Sequence, residues 1–130
     1  MLLLIGLGNP EQKYAKNRHN IGFMAIDAIA EAYSFSNFKS KHHGLVAEGQ
    51  INGEKTLLLK PTTYMNKSGI SVADAVNFYK LTSQQIVVFY DELDLPSGKL
   101  RMRNGGGLAG HNGLRSINAH MGADFRRARL

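Results

Sequence analysis

The sequence predicts a single α/β domain in three layers, α/β/α, built around a mixed, mainly parallel twisted sheet. Three short apolar blocks are typical of strands buried on both faces: Leu2 to Leu7, Leu57 to Leu59, and Ile86 to Tyr90. Segments with helical spacing of apolar residues separate them, and this alternation favours parallel pairing. Because 130 residues suffice for one buried core, residues 1–130 are expected to form one domain.

The first strand is predicted to end at Gly8-Asn9-Pro10, where glycine and the Asn-Pro pair interrupt regular structure. From Asn20, a favourable N-cap, apolar residues recur with helical period. His19 therefore stands just before a helix N-terminus, where the helix dipole disfavours the imidazolium and keeps the ring neutral, as a general base requires. A plain packing or capping role for His19 is the alternative.

The middle of the chain is predicted to contain a hairpin. Gly44 to Ile51 and Lys55 to Lys60 favour strands, and Asn52-Gly53 between them is a strong turn signal. Ser34 to His43 shows no clear period and is interpreted as a connection. His42-His43 lacks zinc-ligand spacing, so we interpret it as loop surface.

A second helix is predicted after Pro61. Its apolar stripe consists of Val72, Ala75, Val76 and Tyr79. Ser71 and Asp74 have the spacing of a capping box, which would start the helix after Asn66. Asn66 is then either a cap or a site residue.

The C-terminal third is predicted to contain two strands and a helix. Lys99 to Arg103 alternates basic and apolar residues, as on a partly exposed strand. The glycine-rich stretch from Asn104 to Gly113 permits close approach to a ligand, with simple loop flexibility as the alternative. A helix from about Leu114, with Ile117 inward, leads to a strand from Phe125 to Leu130.

Charge is distributed unevenly. Residues 1–98 contain equal numbers of acidic and basic residues, whereas residues 99–130 contain seven Lys or Arg against Asp124 and supply the formal charge of +6. This asymmetry indicates a surface that faces a polyanion, and a solvated basic face is the alternative. With no cysteine and no apolar run of membrane-spanning length, a cytoplasmic protein that does not bind membranes is the default expectation.

Polar residues follow the predicted parallel strands at their carboxyl ends, which converge in one crevice in folds of this class. They are Asn9, Tyr64, Asn66 and Asp91, and His19 and Asn112 can reach the same rim. A carboxylate such as Asp91 could orient the His19 ring to activate water, while neutral asparagine amides hold a peptide backbone and a developing oxyanion. Ordinary turn positions are the alternative for each asparagine.

Nucleotide-cofactor and metal classes fit poorly. Gly6-Leu7-Gly8 begins like a dinucleotide fingerprint, but Glu11 occupies the third glycine position. Gly98-Lys99 ends like a phosphate-binding loop, but Leu93 stands where its first glycine is required. Neither a cofactor nor a metal is therefore predicted.

Five ordered motifs span nearly the whole chain and resemble bacterial peptidyl-tRNA hydrolase. They are GLGNP with Tyr14, RHNIGF from Arg18, PTTYMNKSG from Pro61, YDELDLPSGK from Tyr90, and GGGLAGHNGL from Gly105. The resemblance implies a monomeric three-layer α/β enzyme of translation that needs no metal or cofactor and does not act on DNA. Its substrate would be peptidyl-tRNA, cleaved at the ester between the peptide and the 3′ ribose.

The resemblance also implies residue roles. His19 would accept the proton, Asp91 would stabilise the basic form of His19, and Asn9 would help to distinguish blocked from free aminoacyl-tRNA. Substrate contacts would be made by Tyr14, Tyr64, Asn66 and Asn112. Arg103 and Arg129 would grip the 5′ phosphate of the tRNA.

The sequence departs from the family pattern in places. Glu11 stands where the family usually has glycine, Asn17 where it has threonine, and Ala109 where glycine is common. Family members also continue past the strand ending at Leu130 with a basic lid and a C-terminal helix, so residues 1–130 are expected to form the domain without that region. Two rival hypotheses follow: a non-catalytic RNA-binding module, or an inactive truncated fragment.

Overall fold

Strand β1, Leu2–Gly6, lies in the middle of a seven-stranded sheet. The computed structural model describes residues 1–8, 21–63, 67–90, 101–104, 117 and 126–129, with the backbone alone for 101–104 and 126–129. Along the chain, β1 is followed by α1 Ile21–Ala32, β2 Lys39–Lys41, β3 Gly44–Ile51, β4 Glu54–Pro61, α2 Ser68–Tyr79, a short 3₁₀ turn Ser83–Gln85, β5 Ile86–Tyr90, β6 Arg101–Asn104 and β7 Arg126–Arg129.

The strands are ordered β2-β3-β4-β1-β5-β7-β6. The central strands β4, β1, β5 and β7 pair in parallel, and the antiparallel pairs β2-β3, β3-β4 and β6-β7 form the two sides. The predicted mixed α/β sheet is therefore confirmed, with its parallel part in the centre. Of these strands, β1, β4 and β5 are buried on both faces and contain the continuous apolar blocks seen in the sequence.

Helices α1 and α2 cover opposite faces of the sheet. On one face, alternate residues of β1 such as Leu3 and Ile5 pack in a buried cluster with Val72 of α2. On the other face, Leu4 belongs to a second cluster with Ile26 of α1. Because successive side chains of a strand point to opposite faces, one apolar block supplies both clusters. The predicted three-layer arrangement is thus confirmed.

The predicted hairpin is also confirmed. Strands β3 and β4 pair antiparallel from Gly44↔Pro61 to Ile51↔Glu54. Between them, Asn52 and Gly53 have φ of 51° and 81°. Two consecutive positive φ values are what a two-residue turn matched to strand twist requires, and Asn-Gly adopts them readily.

The prediction that residues 34–43 form only a connection is wrong, because this region contains strand β2. Its three residues, Lys39–Lys41, are all exposed and pair with β3 through the backbone. A short polar strand at a sheet edge shows no apolar alternation, so the sequence gives no signal for it, although its lysines suit an edge that must resist pairing with other chains.

Helix α2 is confirmed, but its predicted capping box is wrong. The helix begins at Ser68, and the N-cap Lys67 makes no side-chain cap hydrogen bond. Ser71 and Asp74 lie inside the helix and contact His42 of the β2–β3 turn instead. His42, predicted to be loop surface, is consequently buried, with 7% of its surface exposed.

The remaining strands follow the predictions closely. β5 and β7 lie within the predicted ranges, and β6 covers Arg101–Asn104, shifted toward the C-terminus relative to the prediction. Ile117 is helical and buried, as predicted. None of the helices in the described part of the chain is long and apolar enough to cross a membrane.

Candidate active site

Three central strands end together at one edge of the sheet. In the register, Ile5 of β1 pairs with both Leu59 of β4 and Val88 of β5. The chain therefore leaves these parallel strands on the same side, where α/β folds bind their ligands. Asn9 and Asp91 each follow directly after the last described residue of the segment containing β1 or β5, namely Gly8 and Tyr90.

The N-terminal turn of α1 is held at this same edge. Gly22 packs so closely on the ends of β1 and β5 that a methyl group there would lie 2.7 Å from both Leu7 N and Phe89 O. These two backbone atoms bond to one another, with Leu7 N donating to Phe89 O at 2.9 Å. His19 stands three residues before Gly22. The start of α1 therefore lies beside the end of β5. In the sequence, His19 shortly precedes α1 and Asp91 directly follows β5.

A half-buried ion pair connects the same helix to β4. Lys60 Nζ lies 2.6 Å from Asp27 Oδ1, with 13% and 54% of the two side chains exposed. The ammonium also lies 4.2 Å from the centroid of the Phe38 ring. The contact joins α1 to the carboxyl-terminal half of β4. The helix is therefore held to β4 as well as to the ends of β1 and β5.

The β2–β3 turn, residues His42 and His43, reaches this edge from the antiparallel side. Its exit residue Gly44 pairs with Pro61, the last residue of β4. Thr62 N then donates to His43 O at 3.1 Å. Sequence reasoning missed this turn as part of the site region, because its histidines match no ligand spacing and its neighbours come from distant segments.

Strands β6 and β7 bring the basic positions together. Arg101 pairs with Arg129, and Arg103 pairs with Arg127. Directly opposed residues of an antiparallel pair share one face of the sheet, and so do residues two apart. These four arginine positions therefore occupy a single face. Arg129 is also in register with Tyr90 of β5, at the edge where the candidate site lies.

Most of the predicted site residues lie outside the described residues, and their roles stay predictions. They are Asn9, Tyr14, His19, Tyr64, Asn66, Asp91 and Asn112. Arg103 and Arg129 are on described strands, one on each of two paired strands. Within the described part of the chain, no cluster of three or more His, Cys, Asp or Glu side chains could hold a metal ion.

A three-layer α/β sheet whose parallel strands deliver polar residues to one carboxyl edge is an architecture in which enzymes build active sites. The family model for peptidyl-tRNA hydrolase matches residues 3–130. The chain belongs to the peptidyl-tRNA hydrolase family.

Relatives from bacteria match the full chain. A peptidyl-tRNA hydrolase of Parvibaculum lavamentivorans is 62% identical over 130 residues, which is 100% of this chain and 63% of the relative. One of Ruegeria sp. is 61% identical, with 100% and 52% covered. A crystal structure of peptidyl-tRNA hydrolase from Acinetobacter baumannii superposes with a TM-score of 0.94 at 42% identity, covering 100% of this chain and 67% of that one. The chain thus spans between half and two thirds of the length of these two sequence relatives.

Proposed function

We propose that this chain hydrolyses the ester between a peptide, or an N-blocked amino acid, and the 3′ ribose of tRNA. Such an activity would recycle tRNA from peptidyl-tRNA released prematurely in translation, with the protein acting as a monomer in the cytoplasm. The observation that carries the proposal is the packing of the α1 N-terminus on the carboxyl ends of β1 and β5, at the edge where β4 also ends. Family membership supplies the substrate class.

The proposed mechanism uses water as the nucleophile. His19 takes a proton from water while the water oxygen attacks the ester carbonyl carbon, and a tetrahedral oxyanion forms. Collapse of this intermediate breaks the bond to the 3′ oxygen, which leaves with the proton that His19 returns. The products are the free peptide acid and tRNA with its 3′ hydroxyl restored.

The other residues are proposed to support this proton transfer. Asp91 would accept a hydrogen bond from the second nitrogen of His19, fixing the tautomer and stabilising the imidazolium. Asn66 would hold the peptide through its amide group, and Asn9 and Asn112 would supply amide groups to the peptide and the oxyanion, in each case without adding charge. Tyr14 and Tyr64 would contact the substrate. No step requires a metal or a cofactor.

The four-arginine face would hold the tRNA. Arginines donate several hydrogen bonds to phosphate oxygens, and their contribution to binding does not depend on sequence. Because Arg129 is in register with the end of β5, a phosphate bound on this face would place the tRNA acceptor end beside the candidate site. Arg103 and Arg129 are proposed as the two 5′-phosphate contacts.

Substituting His19 tests the proposal. In His19→Ala, cleavage of a blocked aminoacyl-tRNA should fall by roughly 10² to 10⁴, the usual contribution of general-base catalysis, while tRNA binding stays nearly intact. Glu31→Ala, an exposed change at the far end of α1, is the control for disturbing the helix. A parent chain that binds tRNA but leaves the ester intact would indicate an RNA-binding module; one that does neither would indicate an inactive fragment.

The pH profile tests the proposed His-Asp pair. A neighbouring carboxylate raises the pKa of an imidazole, so cleavage should rise with pH through that pKa. In Asp91→Asn the titration should move to lower pH and the rate should fall, because the ring also loses its enforced tautomer. Identical profiles for the two proteins would remove Asp91 from the mechanism.

A further inference from the structure

The β2–β3 turn contacts both sides of the segment that contains Tyr64 and Asn66. Residues 64–66 lie between Thr63 and Lys67, the nearest described residues on either side. The turn therefore relates the end of β4 to the N-terminal half of α2, the two elements that flank this segment in sequence.

The N-terminal flank is bound by the second residue of the turn. His43 O accepts hydrogen bonds from Thr62 N at 3.1 Å and from Thr62 Oγ1 at 3.3 Å. These bonds extend the β3–β4 ladder one residue past the Gly44↔Pro61 pair. The chain is thus held to the turn up to the residue before Thr63.

The C-terminal flank is bound by the first residue of the turn. Ser71 Oγ donates to His42 O at 2.6 Å, and Ser71 is fully buried. One helical turn further on, Asp74 Oδ2 lies 2.7 Å from His42 Nδ1. Since an ionised carboxylate only accepts hydrogen bonds, Nδ1 carries the proton in this contact. Helix α2 is therefore held to the same turn by a backbone carbonyl and by a side chain.

Asp74 is the polar anchor of the His42 ring. The side chain of His42 is 4% exposed and that of Asp74 is 50% exposed. Among the described residues, His42 Nε2 is buried without a hydrogen-bond partner. The ring also packs against Phe78 and Tyr79, with centroids 5.1 Å and 5.5 Å away. Removing the Asp74 carboxylate would leave both ring nitrogens without a hydrogen-bond acceptor or donor in the described part of the chain.

The turn itself adopts a demanding backbone. His42 and His43 both have φ of 56°, in the left-handed region that residues with a Cβ seldom occupy. Conformations of this kind persist where the surroundings determine them from several sides. Here those surroundings are the flanks of residues 64–66, so the contacts that hold the turn also relate the two flanks to each other.

We propose that the β2–β3 turn is a positioning device that sets the end of β4 relative to the start of α2, which flank Tyr64 and Asn66 in sequence, and that the contact between His42 and Asp74 holds the turn in place. His42, Ser71 and Asp74 are positioning residues that act on these two flanks. The expected effect on catalysis rests on the proposed function. The expected effect on structure concerns only the two flanks, Thr62 to Thr63 and Lys67 to Ser71.

Asp74 is the best position to test, because its half-exposed side chain can be replaced without opening a cavity. Asp74→Ala removes the acceptor of the His42 bond, and Asp74→Asn retains an oxygen that can accept it. Glu54→Gln is the matched control: Glu54 makes an ion pair of 2.8 Å with the terminal amine, is 51% exposed, and lies at the opposite end of β4.

Two measurements separate positioning from simple stabilisation. In Asp74→Ala, amide hydrogen exchange over residues 62–71 should accelerate at least about tenfold while β1 keeps the parent's protection. The KM for a blocked aminoacyl-tRNA should rise about 5- to 20-fold with kcat changed less than about twofold, since substrate contacts are displaced while the proton transfer is retained. Asp74→Asn should recover most of both effects, and Glu54→Gln should show neither.

Each outcome decides the inference. Unchanged exchange over residues 62–71 in Asp74→Ala would overturn it, whatever the activity. A lower melting temperature with an unchanged KM would also overturn it, because the contact would then be structural only. If the parent chain cleaves no substrate, the proposed function fails, and the exchange rates alone still confirm or refute the positioning of the segment.

Discussion

Gly22→Ala tests whether the packing of α1 on the sheet governs both stability and activity. A methyl group at this position would lie 2.7 Å from Leu7 N and from Phe89 O, with Leu7 O closer still. Since comfortable contacts with a methyl carbon require about 3.5 Å or more, the helix must retreat by roughly 1 Å. The opposing atoms belong to the bonded ends of β1 and β5 and cannot rotate away.

The expected magnitude follows from two opposing terms. Overpacking a buried site costs about 1–3 kcal/mol or somewhat more, and Gly to Ala in a helix returns up to about 1 kcal/mol. A net loss of about 1–2 kcal/mol should lower the melting temperature by roughly 3–10 °C for a domain of this size. The retreat also displaces the start of α1, next to His19, and a 1 Å misplacement of a catalytic group can cost about 10²-fold in rate.

Thermal unfolding and cleavage of a blocked aminoacyl-tRNA would be measured on Gly22→Ala beside Gly53→Ala. Gly53 has φ of 81° and open space around it, so alanine there costs about 1–2 kcal/mol through the backbone alone. It lies in the hairpin turn, at the sheet end opposite the candidate site. The packing of Gly22 would not govern activity if the two variants lost activity equally, or if Gly22→Ala kept the melting temperature and cleavage rate of the parent.

Two further predictions concern charged residues. In Arg103→Ala and in Arg129→Ala, the slope of log tRNA affinity against log salt concentration should become shallower by about 0.7 to 0.9 of a unit. Lys39→Ala, at the far sheet edge, is the control and should leave the slope unchanged. An unchanged slope in both arginine variants would exclude a phosphate contact. Lys60→Met should reduce stability by about 1 kcal/mol, measured by thermal unfolding, because the substitution removes the partly screened ion pair with Asp27 and the contact of the ammonium with the Phe38 ring. Lys55→Met, exposed on the same strand, is its control, and equal melting temperatures would mean that the Lys60 contacts contribute nothing.

The central layer of the fold could be predicted from the sequence because its strands are buried on both faces. Burial of this kind leaves a continuous apolar block, and each of β1, β4 and β5 contains one. The hairpin was predictable for a local reason, since Asn52-Gly53 fits the backbone that a two-residue turn requires. Both signals lie within a few consecutive residues.

The predictions that were wrong concern residues whose structure depends on contacts with distant parts of the chain. Ser71 and Asp74 have the spacing of a capping box, yet their oxygens bond to a turn that is about thirty residues away in sequence. His42 is buried because two aromatic rings of α2 cover it, and nothing next to it in the chain indicates this. Strand β2 forms because β3 offers it a partner, while its own polar residues carry no strand pattern. A single sequence does not specify such partners.

The candidate site shows the same division. The prediction that polar residues gather at the carboxyl ends of the strands follows from parallel pairing, and the described register shows only that β1, β4 and β5 end together at one edge. The roles of His19, Asp91 and the asparagines stay predictions, since these residues lie outside the described part of the chain. The pairing that unites four arginine positions on one face could not be read from the sequence, because it depends on the register between β6 and β7.

Helices α1 and α2 are held near the candidate site by different contacts. Substitutions near the two helices should therefore affect the site differently. Helix α1 is placed by direct backbone packing at Gly22, where any side chain produces a clash that cannot relax. Helix α2 is placed by two hydrogen bonds with the β2–β3 turn, in which Ser71 donates to His42 O and Asp74 accepts from the His42 ring, and these bonds weaken gradually as partners are changed. The general base is proposed on the α1 side, and the substrate contacts Tyr64 and Asn66 are proposed on the α2 side. Substitutions around α1 should therefore act mainly on kcat, and those around α2 mainly on KM.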